Sequence, residues 1–491
     1  MNVLFAAAEA APFAKAGGLA DVVGSLPKYL RKQGVDARVM MPLHGSISRA
    51  KYGIDYAFSF RHPRRRGVAD IHVHHTYYDS VPYYFVETFP FFGQGGSLYT
   101  DWAWDVQRFI HLGELVQSLA WQLRYGAGGT RPWFPDVIHI HDWHTALASF
   151  LLSTSRGDPA WREMGSVLTI HNMGYQGPYA GPFLADAGIP PAQHPDLLYQ
   201  NKSDNLLAIG LAYSDVITAV SPRYALEIQY ERFGEGLEGI VKVRNYTDDV
   251  IGILNGLDTE RNNPATDPAL PHHFSAASVA KERPLNKAAL QAQLSLPIRP
   301  DVPLIGIVSR LTAQKGFDLA LPALWTMLAE DDIQVVVLGS GESAQEYEFR
   351  LLDNRFPDKL RAIIGYDGIL AQRIYGGTDL FLMPSRYEPC GTSQMLAMRY
   401  GSLPIVRETG GLADTVQNYD GGDGAQGTGF IFLWETPDAV LNTTRWAVTT
   451  YRNNPKAFAR MQQRGMTMDF SWDKSAGEYI AVYERAMAKH R

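Results

Sequence analysis

Short apolar runs rich in Val, Ile and Leu recur along the chain, each closed by a turn bearing Gly, Asn or His and followed by a helical pattern. That alternation is the signature of parallel βα units. In the first half it predicts strands over 2–8, 37–41, 137–141, 167–171, 216–220 and 251–254. From 262 to 284 the pattern dissolves into a stretch rich in Pro, Ala and Ser, a linker composition that predicts a domain boundary nearby. A second series follows at 304–309, 334–339, 361–365, 380–384 and 404–407, and 470–489 reads as an aromatic, strongly helical end. The expected fold class is therefore α/β, with two Rossmann-like doubly wound domains facing each other across a cleft. The first would span 1–260, with a C-terminal helix in 466–491 packing back on it, and the second 261–465. In open parallel sheets ligands sit off the carboxyl ends of strands, so the polar turns are where chemistry is expected.

Composition narrows the class. In 491 residues, 46% are hydrophobic and 20% charged, the balance of a globular protein. A formal charge of -6 argues against a nucleic-acid partner, because phosphate backbones demand a basic surface. The run Arg61 to Arg66 (RHPRRR) reads as a solvated loop. The single cysteine, Cys390, cannot form an internal disulfide and points to a reducing compartment, cytoplasm or plastid stroma. The apolar start reads as a first buried strand and not a signal peptide, and no run is long enough to predict a membrane span.

Several turns carry candidate chemistry. Lys15-Ala16-Gly17-Gly18 opens a helix running to about Gln33. Its amides can approach an anion with Lys15 adding a full charge, although a plain tight turn with a solvated lysine is an equal reading. Arg310 and Lys315 share one loop after a strand and suit a diphosphate, Arg310 as a bidentate donor and Lys315 as a point charge, with two exposed surface charges as the alternative. Glu388 stands just before a helix start, where a carboxylate can bind sugar hydroxyls or stabilise an oxocarbenium-like centre. The amides of Gly391, Thr392 and Ser393 could take a phosphate, while Cys390 beside them reads as an inert thiol. His139, His141, Asp142 and His144 lack the further ligand group that zinc sites show, so Asp142 and His144 are preferred as polar lining. His72, His74 and His75 are treated alike. His171 ends another strand and is either beside a reacting sugar or a satisfied core histidine.

In that order, KAGGLADVVGSLP, HDWHT, HNMGYQG, SRLTAQKG and SRYEPCGTSQ resemble the motifs of bacterial glycogen synthases and plant starch synthases over essentially the whole chain. The resemblance implies the GT-B arrangement, ADP-glucose as donor, and retaining transfer to the nonreducing end of an α-1,4-glucan, with neither metal nor cofactor. It also implies roles: Lys15, Gly17 and Gly18 in donor binding, Arg310 and Lys315 as the diphosphate pair, and Glu388 as the EPCG carboxylate. Asp142 and His171 would be cleft residues, Tyr366 the adenine stack, and Asp21 and Asn255 polar substrate contacts. Ala16 and Thr392 depart from the commoner residues at their positions. Two alternatives remain at this point, a UDP-glucose-using glucosyltransferase and a non-catalytic glucan-binding or priming protein on the same fold.

Overall fold

The computed structural model describes residues 1–491 and divides them into two compact units, Met1–Gly256 with Trp472–Arg491, and Leu257–Ser471. The first unit is built on a nine-stranded sheet ordered β3-β4-β5-β2-β1-β6-β7-β8-β9. Its strands are β1 (Asn2–Ala6), β2 (Asp36–Pro42), β3 (Asp55–Arg64), β4 (Gly67–Tyr78), β5 (Val81–Glu87), β6 (Val137–His141), β7 (Gly165–Ile170), β8 (Val216–Ala219) and β9 (Val250–Gly252). Neighbours are parallel except β3 with β4 and β4 with β5. Strand β1 is a continuous apolar run because both of its faces are covered, and Val3 to Ala6 are fully buried. One face packs against the helices Gly18–Lys32 and Trp472–Ala488 through Val22, Leu26 and Tyr29 on the first and Tyr479, Val482 and Tyr483 on the second.

The second unit carries a six-stranded, wholly parallel sheet ordered β12-β11-β10-β13-β14-β15. Its strands are β10 (Leu304–Val308), β11 (Gln334–Gly339), β12 (Leu360–Ile364), β13 (Leu380–Met383), β14 (Leu403–Arg407) and β15 (Phe430–Phe432). Numbered within the unit this is the doubly wound order 3-2-1-4-5-6, whose switch point falls between β10 and β13. The equivalent point in the first sheet lies between β1 and β6.

Three expectations need correction. The proposed linker is packed structure: Asp267, Leu270 and Phe274 are buried, and Asp267 accepts a 2.6 Å bond from Tyr400 Oη. A helix, Val279–Gln293, begins inside the stretch and runs through Pro284. The boundary therefore falls at Gly256/Leu257, and the chain returns to the first unit at Trp472, so the helix Pro455–Thr467 stays with the second unit. The RHPRRR run is not a loop. Residues Arg61 to Arg64 complete β3, where alternation turns His62 and Arg64 inward while Arg61 and Arg66 stay in solvent. Strands β3 to β5 and β15 have no counterpart in the periodicity reading.

Candidate active site

In the second unit the chain leaves β10 and turns twice before the helix Phe317–Glu330. Gly316 makes the second turn at a φ of 70°, and a Cβ there would run into the Pro384 carbonyl at the end of β13. This close approach brings Lys315 Nζ to 2.6 Å from Glu388 Oε2, with both side chains largely buried. Ser385 Oγ donates to the same carboxylate oxygen at 3.0 Å. The two loops are also joined by Arg386 N donating to Gln314 O at 2.9 Å. Arg407 braces the turn from below, donating to the carbonyls of Ser385 and Arg386. Gly410 and Gly411 lie against the Glu388 and Cys390 carbonyls at distances no Cβ could occupy, and Gly411 N donates to Glu388 O at 3.0 Å. Glu388 is thus fixed by side chain and backbone together.

The remaining candidates of this unit lie in the same two loops or at the carboxyl edge of the same sheet. Arg310 is exposed, with a long 3.5 Å contact to Gln314. Gly391, at a φ of 73°, lies against the Glu388 side chain, and it and Thr392 lead into the helix Ser393–Arg399. Ser393 Oγ accepts from Tyr375 Oη at 3.1 Å, and Cys390 is buried. Tyr366, just past β12, has 92% of its surface exposed, a large aromatic face at the carboxyl edge of the same sheet.

The first unit gathers a second group at the ends of β1, β6, β7 and β9. Glu9 is 4% exposed in an otherwise apolar segment. Its Oε2 accepts from Ala16 N at 2.5 Å and Gly17 N at 3.2 Å, and its Oε1 from Tyr99 Oη at 2.8 Å. Lys15 Nζ pairs with Asp21 Oδ1 at 2.7 Å in solvent, so Asp21 serves as the lysine's counter-ion. Asp142 opens the helix Asp142–Ser155 at a φ of 50°, in the left-handed region, and accepts a 2.7 Å bond from His171 N. His171 Nε2 lies 3.0 Å from His141 Nδ1. Asn255 follows β9 and is buried. Four buried atoms at these strand ends, His141 Nε2, His144 Nδ1, His171 Nδ1 and Asn255 Oδ1, have no hydrogen-bond partner in the protein and are open to a ligand or water.

Burial dominates the ionisation of this region. It raises the Asp142 carboxyl to about 7, against the amides of His171 and Asn172, which favour the ionised form. It lowers His171 and His144 to about 3 and His44 to about 4. His139 is a satisfied core histidine, its ring between Tyr483 Oη at 2.9 Å and Thr169 Oγ1 at 2.6 Å. Sequence reasoning missed Glu9, Tyr99 and Ser385. Only Glu9 carried a signal, a lone carboxylate inside the run AAAEAAPFA.

Residues 2–243 match the family described as starch synthase catalytic domain, and residues 292–464 the family described as glycosyl transferases group 1. The chain is 40% identical over 497 residues to glycogen synthase of Streptococcus agalactiae serotype Ia, covering 99% of this chain and all of that one. It is 39% identical over 509 residues to glycogen synthase of Thermotoga maritima, covering 100% and 99%. Among solved structures, the catalytic domain of starch synthase IV from Arabidopsis thaliana, bound to ADP and acarbose, superposes with a TM-score of 0.87 at 32% identity over 99% of each chain. Sucrose-phosphate synthase from Thermosynechococcus elongatus shares the fold at a TM-score of 0.61, 15% identity and full coverage of both chains.

Proposed function

The chain belongs to the glycogen synthase and starch synthase family and is a glucosyltransferase, and we propose that it transfers glucose from ADP-glucose to the 4-hydroxyl at the nonreducing end of an α-1,4-glucan, with retention and without metal at the transfer step. The observation that carries this reading is the 2.6 Å Lys315–Glu388 pair, with Arg310 on the same loop, at the switch point of a doubly wound sheet. A diphosphate leaving group needs cations held in place before the sugar bond breaks, and Glu388 holds Lys315 there. The ADP seen in the Arabidopsis relative supports an adenine nucleotide as donor, with Tyr366 as the stacking face.

No second carboxylate accompanies Glu388 among its bonded neighbours, so the proposed route is attack on the same face as the leaving group, the departing phosphate taking the acceptor's proton. Charge stabilisation is then the main contribution of the protein. Removing one diphosphate cation, Lys315→Ala, should cost roughly 1.5 to 3 kcal/mol, or about 10 to 100-fold in turnover. The assay is nucleotide diphosphate release from ADP-glucose and from UDP-glucose, with and without glycogen. Glycogen-dependent ADP release that falls by that factor supports the reading. UDP release in preference would reassign the donor, and glycogen binding without release of either would make the protein a binding module.

Glu9 is a positioning residue in this scheme. It ties the Ala16 and Gly17 amides and so shapes the glycine turn that would meet the donor. Hydrogen bonds to a charged group contribute about 1.5 to 3 kcal/mol each, so Glu9→Ala should raise the donor KM about 10 to 100-fold with a smaller effect on kcat. An unchanged KM would remove Glu9 from the site.

A further inference from the structure

We propose that His62, His111 and Glu114 form a transition-metal site in the first unit, with zinc as the best-matched ion, that fastens the edge strand β3 to the helix Trp102–Arg124. One potential ligand atom from each residue lies within 4.8 Å of the others. Glu114 Oε2 is 3.0 Å from His111 Nδ1, and Glu114 Oε1 is 3.8 Å from His62 Nε2. Two ligands of a tetrahedral zinc at ordinary bond lengths stand about 3.4 Å apart, between these values. His111, Glu114 and Ser118 follow one another at helical spacing on one face, and His62 reaches them from β3, where strand alternation turns it inward.

The surroundings prepare these groups as ligands. Ser118 Oγ donates to the Glu114 carbonyl at 3.3 Å, so its oxygen accepts from His62 Nδ1 at 3.0 Å. With Nδ1 engaged in that bond, Nε2 is the ring nitrogen turned toward the Glu114 carboxylate. A hydrogen bond from the remote ring nitrogen is also how metal-bound histidines are commonly oriented. His111 is fully buried, and its Nε2 has no partner in the protein. His62 and Glu114 keep 13% and 11% of their side chains in solvent, so the cluster is reachable by an ion, and solvent would have to supply the fourth ligand of a tetrahedral site.

The donor set selects the ion. Two imidazoles and one carboxylate suit zinc or its borderline neighbours, whereas magnesium and calcium prefer oxygen ligands throughout. The three residues lie on β3 and in the body of a helix, not at the strand ends that carry the proposed transfer chemistry. The site therefore acts on the stability of the sheet edge, where β3, with Pro63 and its outward charges, has β4 as its one strand neighbour.

The test uses the full-length, untagged protein stripped with chelator and titrated with zinc by calorimetry, with cobalt absorption reporting the geometry. Expected is one zinc per chain, a tetrahedral cobalt spectrum and a zinc-dependent rise in Tm, all lost in His62→Ala and Glu114→Gln. Ser118→Ala keeps all three ligands and should bind about 10 to 100-fold more weakly, the usual effect of losing such an orienting bond. His72→Ala, on the exposed face of β4, should bind as the wild type does. Absence of zinc binding by the folded wild type, or equal affinity in His62→Ala and Glu114→Gln, would overturn the proposal and leave the cluster as a proton-sharing network.

Discussion

Replacing Glu388 by Gln should reduce glycogen-dependent ADP release by about 10² to 10³-fold, a loss of roughly 2.7 to 4 kcal/mol of transition-state stabilisation. The substitution keeps the side chain's shape and an oxygen able to accept from Ser385 Oγ, which now bonds the carboxylate at 3.0 Å. It removes the charge that holds Lys315 at 2.6 Å. The ammonium, with 15% of its side chain exposed, would then lack its counter-ion, and the loop after β10 would lose its electrostatic tie to the loop after β13. Glu388→Ala should fall at least as far in turnover and further in stability, since breaking a buried ion pair by removing one partner costs about 3 to 5 kcal/mol. Comparing the two separates charge from bulk. If Glu388→Gln turned over like the wild type, the carboxylate would be structural and the electrostatic mechanism would fail. If only the Ala variant were impaired, shape and not charge would be the contribution of this residue.

The strand-end pattern was legible because parallel strands buried on both faces must be nearly continuous apolar runs. The predicted 137–141 and 334–339 coincide with β6 and β11. The antiparallel extension was not legible. Strand β3 mixes Tyr, Phe, Arg, His and Pro with one face in solvent and a register shift between Tyr56 and Phe58, so neither a continuous run nor strict alternation survives. An edge strand with charges and a proline is protected from pairing with other chains, and that protection hides it from a periodicity reading. The stretch 262–284 failed for another reason: composition reports local chain preference, while Asp267, Arg283 and Pro284 are held by tertiary contacts with Tyr400 and by the helix Val279–Gln293. At the site, Arg310, Lys315 and Glu388 could be named from charge next to strand-to-helix turns. Tyr99 could not, because nothing local says that its hydroxyl will reach Glu9 across 90 positions of sequence.

Asp142→Asn should stabilise the protein increasingly with pH while reducing its activity. Burial raises the Asp142 carboxyl to about 7 from its ordinary value of 3.8, so the folded chain holds this proton more tightly than the unfolded chain does. The unfolded state therefore binds fewer protons between pH 4 and pH 7, and this residue's contribution to stability falls as pH rises through that window, levelling off above it. Between pH 5 and pH 8 the loss is about 2 to 3 kcal/mol at 1.36 kcal/mol per pH unit. Asparagine does not titrate, can keep an acceptor for His171 N and tolerates the left-handed backbone, so the variant should escape the loss. The histidines whose pKa values are lowered titrate on the acid side in both proteins, so the difference between variant and wild type isolates Asp142. Urea midpoints at pH 5 and pH 8 measure it, and a gap that does not widen with pH would mean that the carboxyl is not held protonated by burial. Activity should move the other way. A carboxylate kept in an unfavourable place has to be compensated by function, and the carboxyl end of β6 is where open parallel sheets bind their ligands. Wild-type turnover should therefore rise with pH through about 7 as the group ionises, and the variant should lose both that rise and about 10²-fold in kcat.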